Sequence, residues 1–154
     1  MKILINSLLM LVLTGCSLWR DPVEPKLFLD IQAELNINPN VDQKVSPVEL
    51  RVYQLSDSQA FSRANFMQIF HGEQGVLKAN LLVVRRLASV MPGEQRQEVI
   101  PLSAQTKFIG VIAGFSNYRE AKNKVLYQII DTQDTAIKVS LDGINLSISS
   151  QEEE

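Results

Sequence analysis

Between Leu27 and Ile37 the chain alternates, with Leu27, Leu29, Ile31, Ala33, Leu35 and Ile37 on one face and Phe28, Asp30, Gln32, Glu34 and Asn36 on the other. A period of two is what a strand covered on one side requires, because successive side chains leave a sheet in opposite directions. This segment therefore commits the chain to a sheet whose second face is wet. Asn38-Pro39-Asn40-Val41-Asp42-Gln43-Lys44-Val45-Ser46-Pro47 cannot prolong it. Two prolines bound a stretch of turn formers, so a surface loop is expected here. Val48, Leu50 and Val52 then alternate with Glu49, Arg51 and Tyr53 in a second strand ending near Leu55, which we expect to pair with the first.

The period changes at Asp57. Ala60, Phe61, Ala64, Phe66, Ile69 and Phe70 suit one helix or two short ones over residues 57–71, with Asp57 as the cap and Gly72 and Gly75 at the end. Residues 77–91 fit either period; the reading adopted is a helical turn near 76–80 and a strand over 82–91. Pro92-Gly93 predicts a turn, and Arg96–Leu102 a weak strand whose charges and Pro101 suit a sheet edge. Phe108–Phe115 is apolar on both faces, as a central strand covered on both sides must be. Gly110 and Gly114 share one face of it and leave room for the aromatic side of the helical insertion. Val125–Ile130 predicts another strand, and Asp142-Gly143 between Ala136–Leu141 and Ile144–Ile148 a hairpin. The expected fold is mainly β: a sandwich of about seven or eight strands with a helical insertion near 57–71.

The N-terminus carries a different signal. Lys2, an apolar run from Ile3 to Leu13 interrupted by Asn6 and Ser7, and then Thr14-Gly15-Cys16 form the pattern of a bacterial lipoprotein signal peptide. The run is too short to span a bilayer, which takes about 20 apolar residues. Cleavage before Cys16 would leave a lipid-bearing cysteine at the new N-terminus. The competing reading, an ordinary secretory signal followed by a free thiol, leaves a lone cysteine in an oxidising compartment with no partner in the chain. Ser17 after the cysteine is associated with sorting to the outer membrane. Residues 1–15 are thus read as the signal, 16–26 as lipidated terminus and tether, 27–150 as one sandwich domain, and 151–154 as an acidic tail.

Removing residues 1–15 from the 154 leaves 139, enough for one core. Of 15 basic residues Lys2 is lost, so 14 oppose 17 acidic ones and the net charge is −3. The basic residues are scattered and no nucleic-acid partner is expected. His71 is the one histidine, placed just before Gly72 where an imidazolium suits a helix end. Neither a metal cluster, a serine triad nor a phosphate loop can be assembled from these residues, so neither catalysis nor a metal or dissociable cofactor is expected.

Leu35-Asn36-Ile37-Asn38-Pro39, Ser46 through Leu55, Phe61 with Ala64-Asn65-Phe66, Pro92-Gly93 and Phe108 through Phe115 resemble, in that order, the outer-membrane lipoprotein family of type VI secretion (TssJ). The resemblance runs from the signal to about Ile148. It implies a transthyretin-like β-sandwich with a small helical addition, lipid-anchored through Cys16 at the periplasmic face of the outer membrane. It also implies a protein partner, the periplasmic domain of the large inner-membrane component (TssM/IcmF-like), and no small-molecule substrate. In that family the loop between the first two strands contributes to docking; here it corresponds to Asn40, Val41, Asp42, Gln43, Lys44, Val45 and Ser46. Three other classes remain in view: a transthyretin-like hydrolase, which depends on several histidines; a small-ligand carrier using space beside Gly110 and Gly114; and an assembly or pilot lipoprotein of another envelope machine.

Overall fold

The computed structural model describes residues 24–130 and 133–151. The signal segment, Cys16, most of the tether and the acidic residues 152–154 lie outside them. Among the described residues eight strands form two four-stranded sheets. The strands are β1 (Lys26–Ala33), β2 (Leu50–Leu55), β3 (Leu81–Arg86), β4 (Gln95–Pro101), β5 (Phe108–Ala113), β6 (Lys124–Gln128), β7 (Thr135–Asp142) and β8 (Asn145–Ser150). One sheet has the order β4-β1-β7-β8 and the other β3-β2-β5-β6. The β1–β7 pair is parallel and the other pairs are antiparallel. The expected sandwich with a helical insertion is the fold observed.

The two sheets differ in how they meet water, and the sequence pattern follows that difference. β1 buries Leu27, Leu29, Ile31 and Ala33 against the opposite sheet, while its other face is partly wet. All six residues of β2 are buried. Its inner face supplies Leu50 and Val52 to the sandwich core, and its outer face supplies Tyr53 and Leu55 to a second core beneath the helices. This corrects the expected pairing of the first two strands. A half-wet strand and a doubly covered one belong to different sheets, so residues 34–49 cross from one sheet to the other.

The helical insertion lies on the outer face of β2 and β5 and consists of α1 (Gln59–Arg63) and α2 (Phe66–Leu77), followed by a 3-10 turn at Lys78–Asn80. Gly72 and Gly75 do not end it. α2 kinks at Gly72 (φ −147°, ψ 39°) and continues to Leu77, so the insertion runs past the predicted limit of 71. There the Phe70 carbonyl accepts from Arg51 Nη1 at 2.7 Å, and the same guanidinium lies 3.9 Å over the Phe70 ring and pairs with Glu49 and Glu73. Asp57 accepts from the Gln59 backbone before α1, but the better cap is at Asn65. Its side chain accepts from Gln68 N while Gln68 accepts from Asn65 N, both at 2.9 Å, closing a reciprocal capping box.

Lys124 reaches across from β6 to the end of α1, where its Nζ donates to the carbonyls of Phe61, Ser62 and Ala64 at 2.7, 3.1 and 2.5 Å. These carbonyls would otherwise have no helical partner, and a cation at a helix C-terminus also opposes the partial negative charge there. Burial pulls the lysine below its ordinary pKa.

The space beside the two glycines of β5 is filled. A Cβ on Gly110 would lie 2.6 Å from the Phe61 ring, and one on Gly114 would lie 3.4 Å from Phe70. Phe61 also meets Tyr53 at 5.7 Å between ring centres. The aromatic insertion expected from the sequence therefore occupies the volume that a ligand carrier would have needed.

Several predicted bounds shift. β3 ends at Arg86, leaving Val90 in a lone bridge to Val48, and β5 ends at Ala113. The hairpin turn lies one residue later than predicted: Asp142 and Asn145 close it, with Gly143 (φ 58°) and Ile144 between them. Glycine at the first central position of a two-residue turn supplies the positive φ that a type II′ turn needs.

Candidate docking loop

Residues 34–49 leave β1 at one pole of the sandwich, and every neighbouring loop at that pole braces them. Glu34 accepts from Gly93 N at 3.1 Å and Asn36 from Gly143 N at 3.0 Å, while Asn36 Nδ2 donates to Asp142 at 2.8 Å. Asn38 is the keystone. It is 3% exposed and takes a left-handed φ of 50°, which asparagine tolerates better than other side chains. Its N–H donates to the Gly143 carbonyl and its Nδ2 to the Pro47 carbonyl, both at 2.8 Å. Its Oδ1 accepts from Ser116 N and its carbonyl from Ser46 Oγ, both at 2.7 Å. Ile37 and Val48, both fully buried, nail the two stems to the core.

Beyond this base the tip is self-bonded around Asn40. Its Oδ1 accepts from Asp42 N and Lys44 N, its carbonyl from Gln43 N, and its own N–H donates to the Lys44 carbonyl, all at 2.9 Å. Gln43 takes a φ of 60° to close the turn. Ser46 N returns to the Ile37 carbonyl at 3.3 Å. Asn40–Ser46 is thus a small closed loop on a rigid mount, and it holds Val41 97% and Val45 47% exposed. A scattered exposed valine is ordinary on a protein surface; one presented at the tip of a loop that its own hydrogen bonds close is positioned for contact.

The structure adds two apolar residues at this pole that sequence reasoning placed otherwise or passed over. Leu35 continues the alternation of β1 and was expected in the core, yet it is 76% exposed, because β1 ends at Ala33 and the chain turns. Its side chain lies over Gly93, where a Cβ would come within 2.7 Å of Leu35 Cδ2. Met91, in the adjoining turn, is 53% exposed. No local signal marked Leu35, which keeps the rhythm of β1 after the strand has ended. Met91 carried none. The 91–94 turn is held by Glu94, which accepts from Met91 N and from Arg96 Nη1, each at 2.7 Å. The Met91 amide, with Arg96 adding to it against a small cost of burial, holds the Glu94 carboxyl below its ordinary pKa.

The opposite pole is where the chain enters. Leu102 N donates to the Pro25 carbonyl and Lys26 N to Asp134, both at 2.8 Å, and Lys26 stands opposite Pro101 in β1–β4. β1, eight residues long, is all that separates entry from loop. At about 3.3 Å per residue the two poles are roughly 25 Å apart.

His71 is exposed in α2 and meets Phe70 edge-on. Among the described residues no group of three or more His, Cys, Asp or Glu could hold a metal, and no helix is long and apolar enough to cross a membrane. Cys16 lies outside the described residues.

The chain is thus a doubly layered β-sandwich with a helical cover on one sheet and, at one pole, a braced loop that holds apolar side chains in water. The chain belongs to the type VI secretion lipoprotein family, whose model, described as type VI secretion lipoprotein, VasD, EvfM, TssJ, matches residues 25–144. Among solved structures, the type VI lipoprotein TssJ1 from Pseudomonas aeruginosa superposes with a TM-score of 0.77 at 22% identity, over 83% of this chain and 97% of that one. A chain of a structure described as a type VI membrane complex matches with a TM-score of 0.72 at 26% identity, over 82% and 98%. A chain of a structure described as the TssM C-terminal domain from EAEC matches with a TM-score of 0.64 at 26% identity, over 80% and 97%. No curated protein matches the sequence significantly.

Proposed function

We propose that this chain is the outer-membrane lipoprotein of a type VI secretion membrane complex. Signal cleavage leaves a lipid on Cys16 that holds the sandwich at the periplasmic face of the outer membrane, and Asn40–Ser46 docks the periplasmic domain of the large inner-membrane component (TssM/IcmF-like). Its work is architectural: it couples two membranes and catalyses nothing. One observation carries this reading, the closed loop that holds Val41 and Val45 in water on a rigid mount, at the pole far from the chain's entry. Family membership supports it, as does likeness to chains from structures described as a type VI membrane complex and a TssM domain.

The test is binding of the partner's periplasmic domain to the protein with Val41→Asp. Burying a valine contributes about 1.5–3 kcal/mol, so a charge at that tip should weaken binding by roughly ten- to a hundredfold. The melting temperature should stay unchanged, because Val41 touches water alone. Binding at the wild-type level would remove the loop from the interface. In cells that carry the secretion apparatus, Cys16→Ser should mislocalise the protein and stop secretion without unfolding the domain; normal secretion would overturn the anchor.

A further inference from the structure

At the entry pole Pro25, Leu102, Thr106, Ile129, Ile130 and Gln133 border a cleft of about 360 Å³. Its walls are built. Gln54, 1% exposed, reaches out of β2 to donate to the Pro101 carbonyl at 2.7 Å and to accept from Ser103 N at 2.8 Å and Thr106 Oγ1 at 2.9 Å. Leu102 is tied to Pro25, and Ile129 N donates to the Lys107 carbonyl at 2.9 Å. On the rim Ile130 stands 92% exposed. Pockets that take small apolar groups begin near this size.

The chain supplies an occupant. Pro25 is part of the cleft wall, and the residues just before it read Ser17-Leu18-Trp19-Arg20-Asp21-Pro22-Val23-Glu24. Spacers that only give reach are made of Gly, Ser, Pro and charges; Leu18, Trp19 and Val23 depart from that composition. Trp19, the one tryptophan of the chain, lies six residues from Pro25. At 3.3–3.6 Å per residue that is at most about 20 Å of chain, enough to leave β1 and fold back. An indole on so short a tether meets the cleft at an effective concentration in the millimolar range, so a weak intrinsic preference suffices.

We infer that Trp19 seats in the cleft formed by Pro25, Leu102, Ile129 and Ile130. The seating fastens the segment after Cys16 to the entry pole, so the sandwich meets the bilayer in a set orientation with the Asn40–Ser46 loop pointing away. The orientation rests on the proposed lipid anchor; the seating does not.

The single tryptophan makes the test direct. In the full-length protein in nanodiscs containing brominated lipid, Trp19 emission should be blue-shifted, shielded from iodide and unquenched by bromine. Ile130→Asp and Ala104→Glu change exposed residues of the cleft and should leave the melting temperature unchanged. Each should shift the emission to the red and abolish the shielding. Emission typical of water-exposed indole in the unsubstituted protein would overturn the inference. So would shielding that survives both substitutions, or bromine quenching, which would place the indole in the bilayer instead. The cleft result should be the same with Cys16→Ser in detergent, which separates it from the fate of the anchor and of partner docking.

Discussion

Asn38 shows how one side chain can set the stiffness of a loop it does not belong to. All four of its polar groups are engaged, and its φ is one that a β-carbon ordinarily resists. Asn38→Ala removes two part-buried hydrogen bonds, to the Pro47 carbonyl and from the Ser116 amide, and we expect a loss of about 1–3 kcal/mol in denaturant unfolding. Asn38→Gly should recover about 1 kcal/mol of that, since glycine accepts the backbone angle but restores no bond. Equal stabilities of the two variants would show that the angle plays no part. Gly110 is the matching case in the second core. Gly110→Ala places a methyl 2.6 Å from the Phe61 ring and should cost about 1–3 kcal/mol by overpacking. Adding Phe61→Leu should return part of that loss, and failure of the double variant to do so would mean that the strand, not the ring, yields.

At the level of elements the chain announced much of itself. The half-wet alternation of β1, the doubly covered run of β5 and the glycine turn of β7–β8 were legible because each is a local pattern with a local cause. Which strands pair was not legible. β1 lies between β4 and β7, and β2 between β3 and β5, and no feature of residues 27–55 alone states that they part company. The boundary at Ala33 was hidden too, since Leu35 and Ile37 keep the rhythm after the strand has ended; Ile37 is buried from a loop and Leu35 is not. α2 outlasted its predicted end because Arg51, 19 residues earlier, satisfies the carbonyl at the kink. Of the proposed docking region, Asn40–Ser46 was named through family resemblance, whereas Leu35 and Met91 are brought to the same pole only in three dimensions.

The 91–94 turn offers a pH test at this scale. Glu94 has a folded pKa below its ordinary value of 4.5, so on acidification the unfolded chain takes up that proton first. Its contribution is therefore complete above the unfolded value and is lost as pH falls through the lower, folded one. Glu94→Gln should flatten the decline in stability across the window below about pH 4.5, measured by denaturant midpoints from pH 6 to 3. A slope equal to that of the unsubstituted protein would dismiss Glu94 as the source.

For the whole molecule, the arrangement of poles matters more than any single contact. The chain enters at one end of β1 and the docking loop begins at the other, so under the proposed function lipid and partner lie at the two ends of one central strand. That strand is hydrogen-bonded along both edges, from Lys26 to Gln32 with β4 and from Leu27 to Ala33 with β7. A pull between the membranes would run along β1 and load both ladders in shear, so many bonds must fail together. The same force applied across β8, an outer strand, would peel its bonds one after another. In single-molecule pulling, handles at residues 24 and 41 should therefore require a markedly greater rupture force than handles at residues 137 and 150, which face each other at the open end of the β7–β8 pair. Equal forces would mean that the sandwich is not built to carry tension along its first strand.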